Sequence, residues 1–194
     1  MKPRILGELV MAATLLLGAG VAGAATRPNA PATQSDNAVA NSAVANKVRH
    51  EILVYPHYRI WDNIEFQVTD GNVVLTGAVT QPYKKTDLGR IVQHVPGVTS
   101  VTNQLEVLPL SPMDSQLRVQ VARAIYSDPT LSMYANRALP PIHVIVDNGR
   151  VSLEGVVRTE MEKGVAGVRA ASAGLSFGPI TNNLRVEMPT PKKS

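Results

Sequence analysis

Residues Phe66 to Val79 read FQVTDGNVVLTGAV, and 78 residues later Val144 to Val157 read VIVDNGRVSLEGVV. Phe66, Val68, Gly71, Val73, Leu75, Gly77 and Val79 fall on Val144, Val146, Gly149, Val151, Leu153, Gly155 and Val157. In each copy apolar residues alternate at period two around a turn, Asp70-Gly71 in one and Asn148-Gly149 in the other. That alternation describes strands with one buried face, and Asp-Gly or Asn-Gly tolerates the positive φ of a tight hairpin turn. A hairpin repeated inside two similar stretches makes this a tandem-domain chain.

Outward from the hairpins, helices flank each copy. A helix capped by Asn41 is expected, with Val44, Val48 and Ile52 on one face, ending before Pro56. Strands follow at Ile64–Val68 and Val73–Val79. A second helix starts at Thr80-Gln81-Pro82, carries Leu88, Ile91, Val92 and Val95 on one face, and stops at Pro96-Gly97. A third strand spans Val98 to Val107. The second copy repeats the order: a helix capped by Asp114 with Leu117, Val121 and Ile125 inward, five additional residues around Ala138-Leu139-Pro140-Pro141, the hairpin, a helix over Glu160–Ser172 and a strand over Ile180–Val186. Met161, Val165 and Val168 mark one face of that helix, while Gly164 and Gly167 inside it each cost up to ~1 kcal/mol against Ala.

The N-terminus carries Lys2 and Arg4, an apolar run from Leu9 to Val21 and the small-x-small site Ala22-Gly23-Ala24. This is the pattern of a secretory signal over residues 1–24, with a retained anchor as the alternative. The chain has no cysteine, so neither a lipoprotein signal nor a disulfide is expected. Without Lys2, Arg4 and Glu8, 17 basic and 14 acidic residues remain, net +3. That excess allows weak attraction to anionic surfaces and falls short of a nucleic-acid-binding balance. The expected division is a flexible linker over 25–37, a first domain over 38–108, a second over 113–188 and a tail over 189–194. At about 70 residues, neither unit supplies more than ~3–5 kcal/mol alone, so the two are expected to pack together.

Gly71-Asn72-Val73-Val74-Leu75-Thr76-Gly77-Ala78-Val79 and Val95-Pro96-Gly97-Val98-Thr99-Ser100-Val101-Thr102-Asn103 follow the order hairpin glycine, L-x-G-x-V, then G-V-x-x-V-x-N. In this the chain resembles the BON family. Gly149 to Val157 matches equally well; the later motif is degraded to Ser176-Phe177-Gly178-Pro179-Ile180-Thr181-Asn182, keeping only the Ile and Asn. The resemblance covers about residues 38 to 188. It implies an α+β fold of two helices on one face of a three-stranded mixed sheet in each unit. It also implies an exported, periplasmic setting and a binding module for phospholipid surfaces or envelope proteins rather than an enzyme.

The candidate chemistry is sparse. His50, His57, His94 and His143 have no metal-ligand spacing, no G-x-S-x-G occurs, and Gly164 to Gly167 forms a G-x-x-G inside a helix, where it is no RNA clamp. No cofactor, metal or catalytic residue is expected. Gly71 and Gly149 are read as turn glycines. Gly77 and Gly155 interrupt good strands and are read as sites of close backbone approach, most simply a helix crossing the sheet. Arg118, Arg123, Tyr126, Tyr134 and Arg137 form the candidate lipid-binding set, with Arg118 and Arg123 on the outer face of the second copy's first helix. Tyr58, Arg59 and Trp61 form a secondary surface. The alternative is that the aromatics close the cores while the arginines are solvated. Three arginines near an anionic membrane are worth roughly 3 kcal/mol, weaker than a millimolar constant. The sequence therefore points to weak anionic-phospholipid association in envelope or osmotic stress protection. The alternative is a protein-interaction or chaperone-like module for envelope proteins.

Overall fold

A computed structural model describes residues 32–174 and 178–187, with side chains from Asn37 onward. The segment 1–24 read as a signal peptide and the tail 189–194 lie outside the described residues. The first unit comprises α1 (Ala32–Val54), β1 (Asn63–Thr69), β2 (Asn72–Val79), α2 (Pro82–Gln93), β3 (Ser100–Asn103) and β4 (Glu106–Val107). The second comprises α3 (Pro112–Tyr126), α4 (Ser132–Ala135), β5 (Ile142–Asp147), β6 (Arg150–Val157), α5 (Glu160–Ser172), β7 (Thr181–Asn182) and β8 (Arg185–Val186). In each sheet the second hairpin strand is central, antiparallel to the first and parallel to the two short strands after the crossover helix. The fold is α+β, two tandem units with mixed sheets.

Both hairpin turns have two consecutive left-handed residues, Asp70 and Gly71 at φ 49° and 77°, Asn148 and Gly149 at 49° and 76°. This is the two-residue turn whose twist matches the strands. Its backbone N–H groups are taken by the preceding helix. Asp70 N donates to Asn41 Oδ1 at 2.9 Å, and Asn148 N and Gly149 N donate to the two oxygens of Asp114 at 3.0 and 2.8 Å. Neither residue is the helix cap expected from sequence. α1 begins at Ala32, so the last six residues of the stretch read as a linker are helical, in line with an alanine-rich start. α3 is capped by Ser111, whose side chain accepts from Asp114 N, with Pro112 in its first turn. The spacing of 73 between Asn41 and Asp114 reflects a shared role in holding the hairpin.

Val44, Val48 and Ile52 pack with Val73, Leu75, Val79, Leu88 and Val92 in the first core; Leu117, Val121 and Ile125 pack with Val144, Val151, Leu153 and Leu184 in the second. α5 departs from expectation. Met161 and Val168 are exposed, and Glu162, Ala166 and Ala170 face the core at the places held by Lys84, Leu88 and Val92 in α2. The cause lies in the third strand. Asn103 Nδ2 donates to Lys85 O, and Asn182 Nδ2 to Lys163 O; each Oδ1 accepts from the residue two ahead. These amides turn the chain, so the single third strand expected in each unit is split in two. They also need room: a Cβ on Gly89 or Gly167 would lie 2.8 Å from the Asn Nδ2. Gly167 fixes the rotation of α5, so alanines face the core and, of the three residues expected there, Val165 alone packs against it, partly buried.

Gly77 and Gly155 mark a close approach of backbone, though not of a helix. At φ 106° and 117° their backbone comes close to the start of the adjacent strand, where a Cβ would meet the carbonyls of Asn63 and Pro141. Gly77→Ala is therefore expected to destabilise the chain by at least ~2 kcal/mol, through left-handed strain and the clash. Gly164 has open space around it, so Gly164→Ala is expected to stabilise by up to ~1 kcal/mol. Urea denaturation of both variants checks this; an equal sign for the two would contradict the geometry.

Candidate functional site

The five residues proposed from sequence do not form one surface. Arg118 is buried because the inward stripe of α3 is wider than three aliphatics, taking in Asp114, Arg118 and Ala122 as well. Its Nη2 donates to Val146 O at 2.6 Å, and its Nε has no partner among the described residues. Burial pulls its pKa down while Asp114, Asp62 and Asp147 pull it back up. Tyr126 donates to Ile142 O at 2.5 Å, and burial pushes its phenol up. Tyr134, on α4, is buried and donates to Glu162 Oε2 at 2.8 Å. Only Arg123 and Arg137 are exposed, the latter 5.1 Å over the Tyr134 ring.

The secondary set is largely a junction between the units. Tyr58 stacks on His143 with centroids 5.4 Å apart, and Ile60 and Trp61 pack against the second core. Arg59 is exposed, its Nη1 donating to Pro56 O and Tyr58 O. At the centre is a residue the sequence did not single out. Asp62 is fully buried and accepts from Arg59 N, Thr80 N, Thr80 Oγ1 and Lys84 Nζ at 3.0, 2.8, 2.9 and 2.7 Å. Its carbonyl takes the His143 Nδ1 contact at 2.6 Å; a carbonyl only accepts, so Nδ1 carries the proton. Beside it, Val144 N donates to Ile60 O at 2.8 Å.

The second unit solves the same problem with reversed charge. Lys84 aligns with Glu162 at the 78-residue spacing. Glu162 accepts from Arg158 N at 2.8 Å and Thr159 N at 3.1 Å and closes a capping box with Thr159. Burial pushes its pKa up, but the bonds from Tyr134, Arg158 and Thr159 outweigh that and hold it below the usual carboxylate range. The sequence signal for this pair was the Lys-to-Glu change between otherwise aligned helices.

Large apolar side chains stand exposed among polar ones where α3 begins. Leu110 is 80% exposed, Met113 57% and Val119 47%, with Arg123 one turn beyond Val119. Among the described residues, no group of three His, Asp or Glu is placed to hold a metal, and no helix is long and apolar enough to cross a membrane.

The model of the BON domain family matches this chain twice, over residues 40–109 and 114–188. No curated protein matches it. Among solved structures, the C-terminal domain of CdsD, a structural protein of the type III secretion system of Chlamydia trachomatis, is similar at 16% identity and TM-score 0.30, covering 73% of this chain and 63% of that one. A second CdsD structure from the same organism gives the same identity and TM-score, with 75% and 61% covered. The chain spans less than two thirds of those chains.

The junction histidine generates a pH dependence. Burial holds the His143 pKa below its ordinary 6.5, with the bond to the Asp62 carbonyl acting the other way. The unfolded chain therefore binds that proton more readily. The contribution to stability is complete above about pH 6.5 and is lost as pH falls toward the lowered value. The urea midpoint is expected to drop between about pH 7.5 and 5.5. His143→Gln should flatten that drop, and equal slopes in both proteins would remove His143 as its source.

Proposed function

The chain belongs to the BON-domain family, and from that premise we propose that it is a non-enzymatic cell-envelope module that associates weakly with anionic phospholipid surfaces. The family suggests a periplasmic phospholipid or envelope-binding role; the finer assignment rests on one observation. Leu110, Met113 and Val119 stand exposed before and along the first half of α3, and Arg123 stands exposed in its last turn. Large side chains held out of a core, next to a cation, suit the boundary between headgroups and acyl chains.

The helix is the one expected from sequence, but its working residues differ. Arg118 and Tyr126 hold the fold, and the apolar group takes their place at the surface. Fully burying one such side chain is worth roughly 1.5–3 kcal/mol. Three that start about half exposed, with ~1 kcal/mol from Arg123, give on the order of 4 kcal/mol, near a millimolar constant. Such association is weak.

Vesicle flotation of the full chain tests this. Binding to vesicles containing phosphatidylglycerol is expected, with little binding to pure phosphatidylcholine and a decline as salt rises. Leu110→Glu/Met113→Glu is expected to cut the bound fraction at least ~tenfold, and Arg123→Ala about fivefold. Arg118→Ala does not discriminate, because it leaves Val146 O without its partner. Absence of flotation with anionic vesicles at low salt would sink the lipid reading and leave an envelope protein as the partner.

A further inference from the structure

The two units meet through corresponding segments, and only one of the two contacts is closed. The Arg59–Asp62 turn of the first unit sits against the free edge of β5, where Ile60 O receives Val144 N–H and Tyr58 covers His143. Val144 sits opposite Leu153 in its hairpin, and Phe66 sits opposite Leu75 in the same register. The Val144 N–H points away from β6, so the Phe66 N–H points away from β2. β1 is likewise an edge strand. Here the corresponding segment of the second unit, ending in Pro140-Pro141, does not close on the strand; it forms one wall of a groove of about 720 Å³ along β1. Ala45 and Arg49 of α1 form another wall, and Val156 and Arg185 stand across from them. No described residue accepts from the Phe66 N–H.

We infer that this groove binds a polypeptide segment whose backbone carbonyl accepts from the β1 edge, as the Ile60 carbonyl of the Arg59–Asp62 turn accepts from β5. The closed contact displays the chemistry: a backbone carbonyl accepts from the edge N–H, and aromatic and aliphatic side chains fill the space beside it. Two arginines, Arg49 and Arg185, against one carboxylate, Glu65, favour a segment that also carries an acidic residue. The site is separate from the apolar group at the start of α3.

The probe is a fluorescent peptide with the sequence of residues 56–63, PHYRIWDN, which contains the segment seated on β5. Titrated with the full chain, it is expected to bind saturably with a Kd on the order of 10–100 μM. Ala45→Trp, which fills the groove from the α1 side and leaves the β1 sequence unchanged, should weaken binding at least ~tenfold. Hydrogen exchange on the unaltered chain provides the decisive measurement, whether or not that variant folds. Saturating peptide should slow exchange at Phe66 about tenfold and leave Val74, inside the sheet, unchanged. No saturation by about 1 mM peptide, or binding without slowing at Phe66, would overturn the proposal.

Discussion

Four donors from three places in the chain converge on one buried carboxylate, and the arrangement of the two units depends on it. Arg59 N belongs to the loop after α1, Thr80 supplies N–H and hydroxyl at the end of β2, and Lys84 reaches in from α2. Removing one partner of such a buried pair costs ~3–5 kcal/mol, whereas an apolar pair of equal volume can be neutral. The carboxylate is therefore better understood as fixing a conformation than as supplying net stability. It fixes residues 59–62, and that loop presents the Ile60 carbonyl to Val144, the Asp62 carbonyl to His143 and Trp61 to the neighbouring core.

The features legible in the sequence were those repeated at a constant spacing. Alternation around Asp70-Gly71 and Asn148-Gly149 gave both hairpins, and the i, i+4, i+8 aliphatics gave the inward faces of α1 and α3. Side-chain roles that bridge distant elements were not legible. Asn41 and Asp114 look like helix caps locally, because the same carbonyl-bearing side chains that cap helices also accept from turns. Only the hairpin, 29 and 34 residues further on, shows which donors they take. The rotation of α5 was misjudged for a related reason. Met161 and Val168 are more apolar than Ala166 and Ala170, yet Asn182 needs the space above Gly167. Alignment to α2 at the 78-residue spacing carries that information; hydrophobicity does not.

The candidate site shows the same limit from the other side. Arginine and tyrosine on an amphipathic helix are ambiguous, since a guanidinium can end on solvent or on a buried carbonyl. Arg118 ends on Val146 O and Tyr126 on Ile142 O, both at β5. These two residues tie α3 to the strand against which the first unit packs. What remains outward on that helix includes the aliphatic Met113 and Val119 among Ser115, Gln116 and Gln120, and a sequence reader scores such aliphatics as core.

The two copies also differ where their contact differs. The second unit replaces Lys84 with Glu162 and fills the resulting need for a donor with Tyr134, carried on α4 in the stretch that gains five residues. Once the carboxylate sits on the helix, no acidic residue is needed in the loop, and the position aligned with Asp62 is Pro140. A proline offers neither a carboxylate to gather the loop nor an N–H to pair it. The first loop is thus held against β5 by the same residue that gathers Thr80 and Lys84 at the start of its own helix, while the second, with its carboxylate moved to Glu162, has nothing to draw it onto β1. The groove along β1 follows from where each unit keeps its buried charge.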